Sequence, residues 1–369
     1  MTTGLQRLLT LTFGAGGNEA NYLGSGWSSD EPGARWMLGQ VSELWLDNQG
    51  GDHDLILELD TEVFVVPPAV TAQRLMLGVR NIGIAQIAAH HGGVLGFHIP
   101  AKLAAGPGPV RLLFIHPDFR RPMDVQGSTD DRPLSFALRG LTLSRVLPRP
   151  APAGGAPLLP QQMIARFESL GDNCEFGLVQ RRLGADPLGL LRFSFIERIA
   201  LLRGLRSGFE GLGDAGTTEV AIEGKEREYV VKETAYGITY HTFQYADRIE
   251  LETVQAQQAA RLRFLKRKLL EDIAAGEKIF VVKRAEPLRP EEILPIYTTL
   301  NEQGRSWLLW VVLADATHPS GTVEVLLPGL LRGYIDRFAP YDDAHDIALP
   351  AWTSVCEAAW RAVGGQRLD

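Results

Sequence analysis

Residues 146–160 read Val146-Leu147-Pro148-Arg149-Pro150-Ala151-Pro152-Ala153-Gly154-Gly155-Ala156-Pro157-Leu158-Leu159-Pro160. Five prolines and two glycines exclude a helix or a central strand, and the composition is typical of a semi-rigid linker. The sequence pattern also differs on the two sides of this stretch. We therefore predict a first domain over residues 1–145, a linker over 146–160 and a second domain over 161–369.

The first domain consists of short apolar runs bounded by glycine, proline, asparagine or aspartate. These runs span residues 55–59, 74–79, 94–99 and 111–115. No long amphipathic helix is evident between them. Short strands at such spacing predict an antiparallel β-sandwich or jelly roll.

The second domain alternates helical and strand-like patterns. We predict helices over about 161–169, after Cys174, and over about 251–275, where leucines recur at three- and four-residue steps. Strand-like runs span residues 227–231, 237–241, 278–282 and 306–312. This alternation predicts an α/β or α+β domain.

Composition limits the class of protein. The chain has 369 residues, 45% of them hydrophobic, and a formal net charge of −7, so nothing indicates a nucleic-acid partner. Two cysteines argue against a disulfide framework or a cysteine-rich metal site, and His90-His91 would point to opposite faces of a strand. We therefore expect no metal and no cofactor.

The location of the protein is an expectation from two further features. No apolar run approaches the roughly 20 residues that a bilayer-spanning helix needs, so we predict no transmembrane segment. The first residues lack the charged start and apolar run of a signal peptide. We expect a cytoplasmic protein, and the sequence leaves the oligomeric state open.

An aromatic turn in the first domain suggests sugar binding. Trp27 and Trp36 flank a loop that contains Glu31. The apolar face of a sugar stacks on an aromatic ring while a carboxylate accepts hydrogen bonds from its hydroxyl groups. The alternative is that both tryptophans belong to the core.

The same region carries a resemblance. The Gly26-Trp27-Ser28 turn, Glu31 and Trp36, with Ser128-Thr129-Asp130-Asp131-Arg132-Pro133-Leu134 near the end, resemble an accessory β-sandwich attached to bacterial glycosyltransferases and other surface-polysaccharide proteins. The resemblance covers most of residues 20–145. It implies carbohydrate binding, with Arg132 among the binding residues; alternatively, Arg132 and Asp130 form an ion pair that holds the closing loop.

In the second domain, Cys174 follows the polar turn Gly171-Asp172-Asn173, where a helix is predicted to begin. The N–H groups and dipole of a helix start favour a thiolate, and a thiolate attacks carbonyl carbons. Cys174 is therefore a candidate nucleophile, with Asn173 beside it. The alternative is a small apolar residue packed under the helix start.

A nucleophilic cysteine needs a base. His241, at the end of a predicted strand, is the first candidate, and His318 is its rival. A cysteine at a helix start beside a histidine on a strand is the arrangement of papain-like enzymes. Asp315, after the strand-like run 306–312, is the candidate that orients the imidazole of His241.

The second domain also carries a resemblance, over about 165–315. Ser169-Leu170-Gly171, Cys174, Arg181-Arg182-Leu183-Gly184 and His241-Thr242-Phe243 resemble a bacterial family described as papain-like cysteine peptidases of unknown function. The resemblance implies a papain-like fold with Cys174 as nucleophile and His241 as base. Glu175, next to the cysteine, would raise the pKa of the thiol.

A basic run completes the pattern. Arg261, Arg263 and Arg267 lie with two lysines within eight residues of the long predicted helix. Such a run is either solvated surface or, beside a cleft, a site for a sugar phosphate, nucleotide-sugar or acidic polysaccharide. Three functions follow: a thiol hydrolase or acyl transferase in surface-glycan metabolism, a glycosyltransferase of polysaccharide biosynthesis, or a non-catalytic glycan-binding accessory protein.

Overall fold

The computed structural model describes residues 3–48, 51–149, 157–340 and 342–365. These residues form two compact units. One unit holds residues 5–147 together with 289–298, and the other holds residues 148–288 and 299–369 along with the first four. The division after residue 147 falls inside the predicted linker, of which residues 150–156 lie outside the described residues.

The first unit is built from strands that pair antiparallel. They are β1 (Leu5–Thr12), β2 (Arg35–Leu38), β3 (Val41–Leu46), β4 (Leu55–Val63), β5 (Gln73–Val79), β6 (Ile82–Ala89), β7 (Gly93–Ile99), β8 (Val110–Ile115) and β9 (Leu134–Val146). Two short helices, α1 (Ala101–Ala104) and α2 (Pro122–Gln126), lie between them in sequence.

These strands form two sheets around one core. One sheet has the order β1-β9-β4-β7, with β2 also paired to β9, and the other has the order β3-β8-β5-β6. Strands of both sheets contribute buried apolar side chains to a single cluster, among them Leu57, Phe97, Phe136, Leu77 and Phe114. The predicted antiparallel sandwich-like first domain is confirmed in this coarse form.

The second unit mixes helices and strands. Its elements are α3 (Pro160–Ile164), β10 (Phe167–Ser169), α4 (Glu175–Arg182), α5 (Arg198–Ser207), β11 (Thr218–Glu223), β12 (Glu228–Glu233), β13 (Ile238–Tyr245), α6 (Leu251–Ala275), β14 (Ile279–Val282), α7 (Pro290–Gln303), β15 (Trp307–Leu313), β16 (Val323–Leu327), β17 (Leu330–Ile335) and α8 (Leu349–Ala362). The first residues of α7 group with the first unit.

A mostly parallel sheet forms the centre of this unit. Its order is β10-β14-β15-β17-β16, and only the β16–β17 pair is antiparallel. Helix α8 contributes Trp352 and Val355 to the apolar cluster under the sheet, which also contains Leu309 of β15. A separate antiparallel sheet has the order β11-β12-β13. The α/β alternation is present, whereas the papain-like architecture stays a prediction.

One predicted helix was wrong and another was confirmed. The helix expected over 161–169 ends at Ile164, and residues Phe167–Ser169 form β10, which pairs in parallel with β14. Helix α6 spans Leu251–Ala275 as predicted. Its buried face carries the leucine stripe, and Gly276 follows with a φ of 68°, a conformation that ends helices and suits glycine.

Candidate functional site

The turn that carries Cys174 follows β10, at the carboxyl edge of the parallel sheet. Ligands of open α/β sheets bind outside this edge. Gly171 has a φ of 85°, and a Cβ atom there would lie 2.9 Å from the Ile196 side chain. The Asn173 side-chain oxygen accepts a hydrogen bond of 3.0 Å from the Glu175 N–H. Helix α4 therefore begins directly after Cys174, as the sequence predicted.

The thiol of Cys174 is half-buried and donates toward the backbone oxygen of Phe193, with 3.9 Å between sulfur and oxygen. Burial raises the pKa of the thiol, and the charges of Arg181 and Lys283 oppose that rise. Among the described residues, no imidazole is hydrogen-bonded to this sulfur. The free protein therefore keeps Cys174 largely as a thiol.

A buried ion cluster fixes this turn. The Lys283 ammonium, just after β14, lies 2.9 Å from Asp172 Oδ2 and 2.8 Å from Glu175 Oε2. The other oxygen of Glu175 accepts hydrogen bonds from the Ala339 N–H at 3.0 Å and from Trp352 Nε1 at 2.9 Å. Glu175 is thus a structural anchor whose charge is compensated.

Arg284 lies beside this cluster. It is buried, and its Nη1 lies 3.6 Å from Asp172 Oδ1, an ion-pair distance longer than a hydrogen bond. Burial lowers the pKa of Arg284 against the opposing charge of Asp172. We did not assign Lys283 and Arg284 a role from the sequence, although two cations directly after a buried strand were a usable signal.

His241 lies in β13, in the separate antiparallel sheet. Its Nδ1 is 3.1 Å from Glu228 Oε2, and its side chain is 60% exposed. The register between β12 and β13 is irregular near Glu228. The imidazole of His241 therefore already has a carboxylate partner, and that partner is Glu228 rather than Asp315.

Asp315 lies in the loop after β15 and contacts the rival base. Its carboxylate is 3.0 Å from Nδ1 of His318, and its Oδ1 accepts hydrogen bonds from the N–H and hydroxyl of Thr317 at 2.8 and 2.7 Å. The bonds from Thr317 and then from His318 lower the pKa of Asp315. His318 stacks on Tyr334, with ring centroids 4.5 Å apart.

A cavity of about 220 Å³ brings His241 together with part of the basic run. The residues that line it come from the α4 end, the following loop, β13 and α6, and are Arg181, Asp186, Pro187, Leu188, Gly189, Leu190, Arg192, Phe193, Ser194, Tyr240, His241, Thr242, Phe243, Arg261, Leu262 and Leu265. The lining therefore contains three guanidinium groups, those of Arg181, Arg192 and Arg261, and the carboxylate of Asp186. Cys174 is adjacent to this wall through the backbone oxygen of Phe193.

Phe193 organises the cavity wall. The guanidinium carbons of Arg181 and Arg192 lie 4.5 and 4.7 Å from the centre of its ring. Gly177 of α4 permits the close packing, because a Cβ atom there would lie 2.4 Å from the Phe193 ring. Burial disfavours a charge on Asp186, but hydrogen bonds from Arg192 and Arg181 outweigh it and lower the pKa of that carboxyl.

The three arginines of the basic run have different surroundings. Arg261 lines the cavity, is exposed, and makes no ion pair or hydrogen bond within the described ranges. Arg263 donates a hydrogen bond to the backbone oxygen of Gly213. Arg267 pairs with Glu271 at 3.7 Å and lies over the ring of Phe264. Of the three, only Arg261 faces the cavity.

In the first unit, Trp27 packs against the core. Its ring lies 5.8 Å from that of Phe13 and 6.2 Å from that of Phe114, and its Nε1 donates a hydrogen bond of 2.8 Å to the Glu43 backbone oxygen. Trp36 meets Phe64 edge-on at 6.4 Å. The core alternative therefore describes the position of Trp27, and its role in sugar binding stays a prediction.

Polar residues from two loops of the first unit bond to one another: Glu31 lies in the loop before β2, and Asp130 and Arg132 lie in the loop before β9. Arg132 pairs with Asp130, with 2.7 Å between Nη2 and Oδ2, and it also contacts the carboxylate of Glu31. The hydrogen bonds that Arg132 donates to the Asp130 carboxylate raise the pKa of Arg132. This ion pair holds the closing loop, and the carbohydrate-binding role of Arg132 and Glu31 stays a prediction.

The described residues contain neither a candidate metal-binding cluster nor a membrane-spanning helix. No group of three or more histidine, cysteine, aspartate or glutamate side chains among them could hold a metal ion. No helix within the described ranges has the length and apolar character needed to cross a membrane.

Comparisons with known proteins give weak likenesses. No protein-family model matches the chain, and no curated protein matches it. Among solved structures, a family GH115 4-O-methyl-alpha-glucuronidase is similar at 9% identity and a TM-score of 0.25, over 37% of this chain and 17% of that one. The ANX2 ectodomain from Arabidopsis thaliana is similar at 12% identity and a TM-score of 0.26, over 39% of this chain and 51% of that one.

A third likeness is to the carbohydrate-binding module CBM36 in complex with calcium and xylotriose. The identity is 5% and the TM-score 0.19, over 38% of this chain and 91% of that module. These likenesses do not reach the level at which shared structure supports an argument about function.

Proposed function

We propose that the second unit binds an anionic, sugar-derived ligand in the cavity that Arg261 lines, and that it handles this ligand in surface-glycan metabolism. The observation that carries the proposal is a concave surface with three guanidinium groups and one carboxylate. Arg181 and Arg192 both pair with that carboxylate, Asp186, and the surface keeps a net positive charge. Such a surface attracts an anionic ligand. The surface-glycan context is what the resemblance of the first domain implies.

Arg261 is the central residue of the proposal. A guanidinium group carries five N–H donors in a planar fork that suits phosphate and carboxylate groups. Other cations of α6 use theirs within the protein, since Arg263 bonds to Gly213 and Lys268 to Asp272. The donors of Arg261 remain available to a ligand that enters the cavity.

Calorimetric titration with inorganic pyrophosphate and with glucose 1-phosphate tests the proposal. We expect Arg261→Ala to weaken binding about tenfold to hundredfold, because a charge-assisted hydrogen bond contributes about 1.5–3 kcal/mol. Arg267→Ala, on the same helix and paired with Glu271, is the matched control and should bind as the unchanged protein does. Absence of binding, or equal losses in both variants, would refute the proposal.

We propose a thiol hydrolase or acyl transferase of papain-like type as the second candidate. Its support is the half-buried Cys174 at the start of α4, with Arg181 and Lys283 favouring the thiolate. Burial acts in the opposite direction. The experiment is alkylation by iodoacetamide as a function of pH, with the buried Cys356 as internal control. Labelling of Cys174 that is complete at pH 7 supports the candidate, whereas labelling that requires a pH above about 9 rejects it.

For the first unit we propose a carbohydrate-binding accessory role, as its resemblance implies. Its support is the polar group that Glu31, Asp130 and Arg132 form, of which Glu31 lies in the loop before Trp36. A glycan-array screen of the whole chain and of its Trp36→Ala variant tests the role. Loss of a specific glycan signal in the variant supports it, and equal arrays for the two proteins contradict it.

A further inference from the structure

We infer that the ligand of the cavity is a nucleoside diphosphate group, with its base stacked on Phe243 and His241 and its phosphates on Arg261. This inference rests on the proposed anion-binding function and specifies the substrate class of the same site. Its basis is that the rings of His241 and Phe243 line the same cavity as Arg261.

Phe243 has an unusual conformation and exposure. Its φ is 56°, a region that residues with a Cβ atom rarely adopt, and it is 73% exposed. A large apolar ring in water and a left-handed backbone are both unfavourable for folding. Strained residues that persist in a fold cluster at functional sites, and Phe243 lines the cavity.

One carboxylate holds both rings. Oε1 of Glu228 accepts a hydrogen bond of 2.8 Å from the Phe243 N–H, and Oε2 lies 3.1 Å from Nδ1 of His241. The two rings are tilted by 34°, with centroids 6.4 Å apart. The pairing of β12 with β13 shifts register between Glu228 and Val230, and Phe243 lies in the segment of β13 opposite that shift. Irregularities of this kind occur beside active sites.

The cavity is suited to the phosphates and its rim to the base. Its volume of about 220 Å³ is below the roughly 300–1,000 Å³ of pockets that enclose whole ligands. A nucleotide would therefore place its phosphates inside, beside Arg261, and its planar base at the rim. Aromatic side chains bind bases by stacking whatever the base, because every base has a π-face.

Calorimetric titration of the whole chain with UDP, ADP and inorganic pyrophosphate tests the inference. We expect both nucleotides to bind about five- to hundredfold more tightly than pyrophosphate, the range for stacking one base on an aromatic ring. Phe243→Gly should bring the affinities for the nucleotides and for pyrophosphate to about the same value, and Phe243→Tyr should retain the difference between them. Arg261→Ala should weaken all three ligands.

Two controls keep folding defects apart from the loss of the ring. Phe264→Ala removes another exposed ring, 46% exposed on α6 and outside the cavity lining, and should bind nucleotides normally. Phe243→Gly should melt at the same temperature as the unchanged protein or higher, because glycine adopts a φ of 56° without strain.

The outcomes separate this inference from the proposed function. If pyrophosphate binds through Arg261 but nucleotides bind no more tightly, or if Phe243→Gly binds UDP as the unchanged protein does, the inference is overturned and the anion-binding function stands. If pyrophosphate, UDP and ADP all fail to bind, both are overturned.

Discussion

The two units differ in whether particular arginine side chains have a carboxylate partner within the protein. In the first unit, Arg132 and Arg111 meet carboxylates of the same unit, Asp130 and Glu43. In the second unit, Arg261 lines a cavity with no such partner within the described ranges. A cation that is neutralised within the fold contributes to the scaffold, whereas one left open in a concave surface is available to a ligand.

The largest effect should come from breaking the buried ion cluster of the second unit. Lys283→Met removes the ammonium group that lies between the buried carboxylates of Glu175 and Asp172 and leaves Arg284, 3.6 Å from Asp172, as the neighbouring cation. We expect a loss of about 3–5 kcal/mol in the free energy of unfolding, because a buried carboxylate loses its partner. Lys232→Met removes the exposed pair with Glu223 and should lose under about 1 kcal/mol. Urea unfolding measures both; similar losses would mean that the cluster does not hold the turn.

A second effect distinguishes the first unit by its response to acid. Burial lowers the pKa of His116 to about 4, between the hydroxyl groups of Ser42 and Ser135. Below its ordinary pKa of about 6.5 the unfolded chain takes up a proton that the native state excludes. Stability should therefore fall as the pH drops from 6.5 to 4, by up to about 1.4 kcal/mol per pH unit.

Hydrogen exchange in peptides of the first unit measures this dependence. His116→Gln cannot titrate and should flatten it over the same interval. An unchanged slope in that variant would assign the acid sensitivity to other groups.

The second unit should respond to pH in the opposite direction. Burial raises the pKa of Glu168 to about 7, against the opposing charges of Lys268 and Lys278. Between pH 4.5 and 7 the native state keeps a proton that the unfolded chain has released, so stability should fall as the pH rises. Hydrogen exchange in peptides around β10 measures this pH dependence of stability, and Glu168→Gln should abolish it. A rise in stability with pH would contradict the prediction that the native state keeps Glu168 protonated over this interval.

The smallest effect should come from the closing loop of the first unit. Arg132→Ala removes a partly exposed ion pair with Asp130, and we expect a loss of about 1 kcal/mol or less in the free energy of unfolding. Pyrophosphate binding should stay unchanged, unlike in Arg261→Ala. A loss of pyrophosphate binding in Arg132→Ala would remove the distinction between the two units.

The sequence predicted elements whose pattern is long or strongly apolar. Helix α6 has a 25-residue pattern with its apolar stripe, and β15 is a run of seven apolar residues. Strand β10 was missed because three residues show no periodicity, and it forms only through its pairing with β14. Strand β9 extends to Val146, the first residue of the predicted linker, because Val146 pairs with Leu5.

The site could be predicted only in part. The helix start after Cys174 followed from a local turn that the sequence shows directly. The partner of His241 did not, because Glu228 reaches it across the β12–β13 irregularity and so depends on strand register. Asp315 instead contacts His318, three residues later in the same loop. Arg261 and Phe243 line the same cavity, and this arrangement likewise depends on tertiary packing.

Glu228 has a consequence for the kinetics of recognition. Because a single carboxylate holds the backbone amide of Phe243 and the imidazole of His241, this part of β13 is ordered before an encounter, and the entropic cost of ordering it is already included in the folding free energy. Binding of the proposed nucleotide then requires no rearrangement of β13. The association rate constant would therefore be set by diffusion and by the electrostatic potential of the neighbouring arginines.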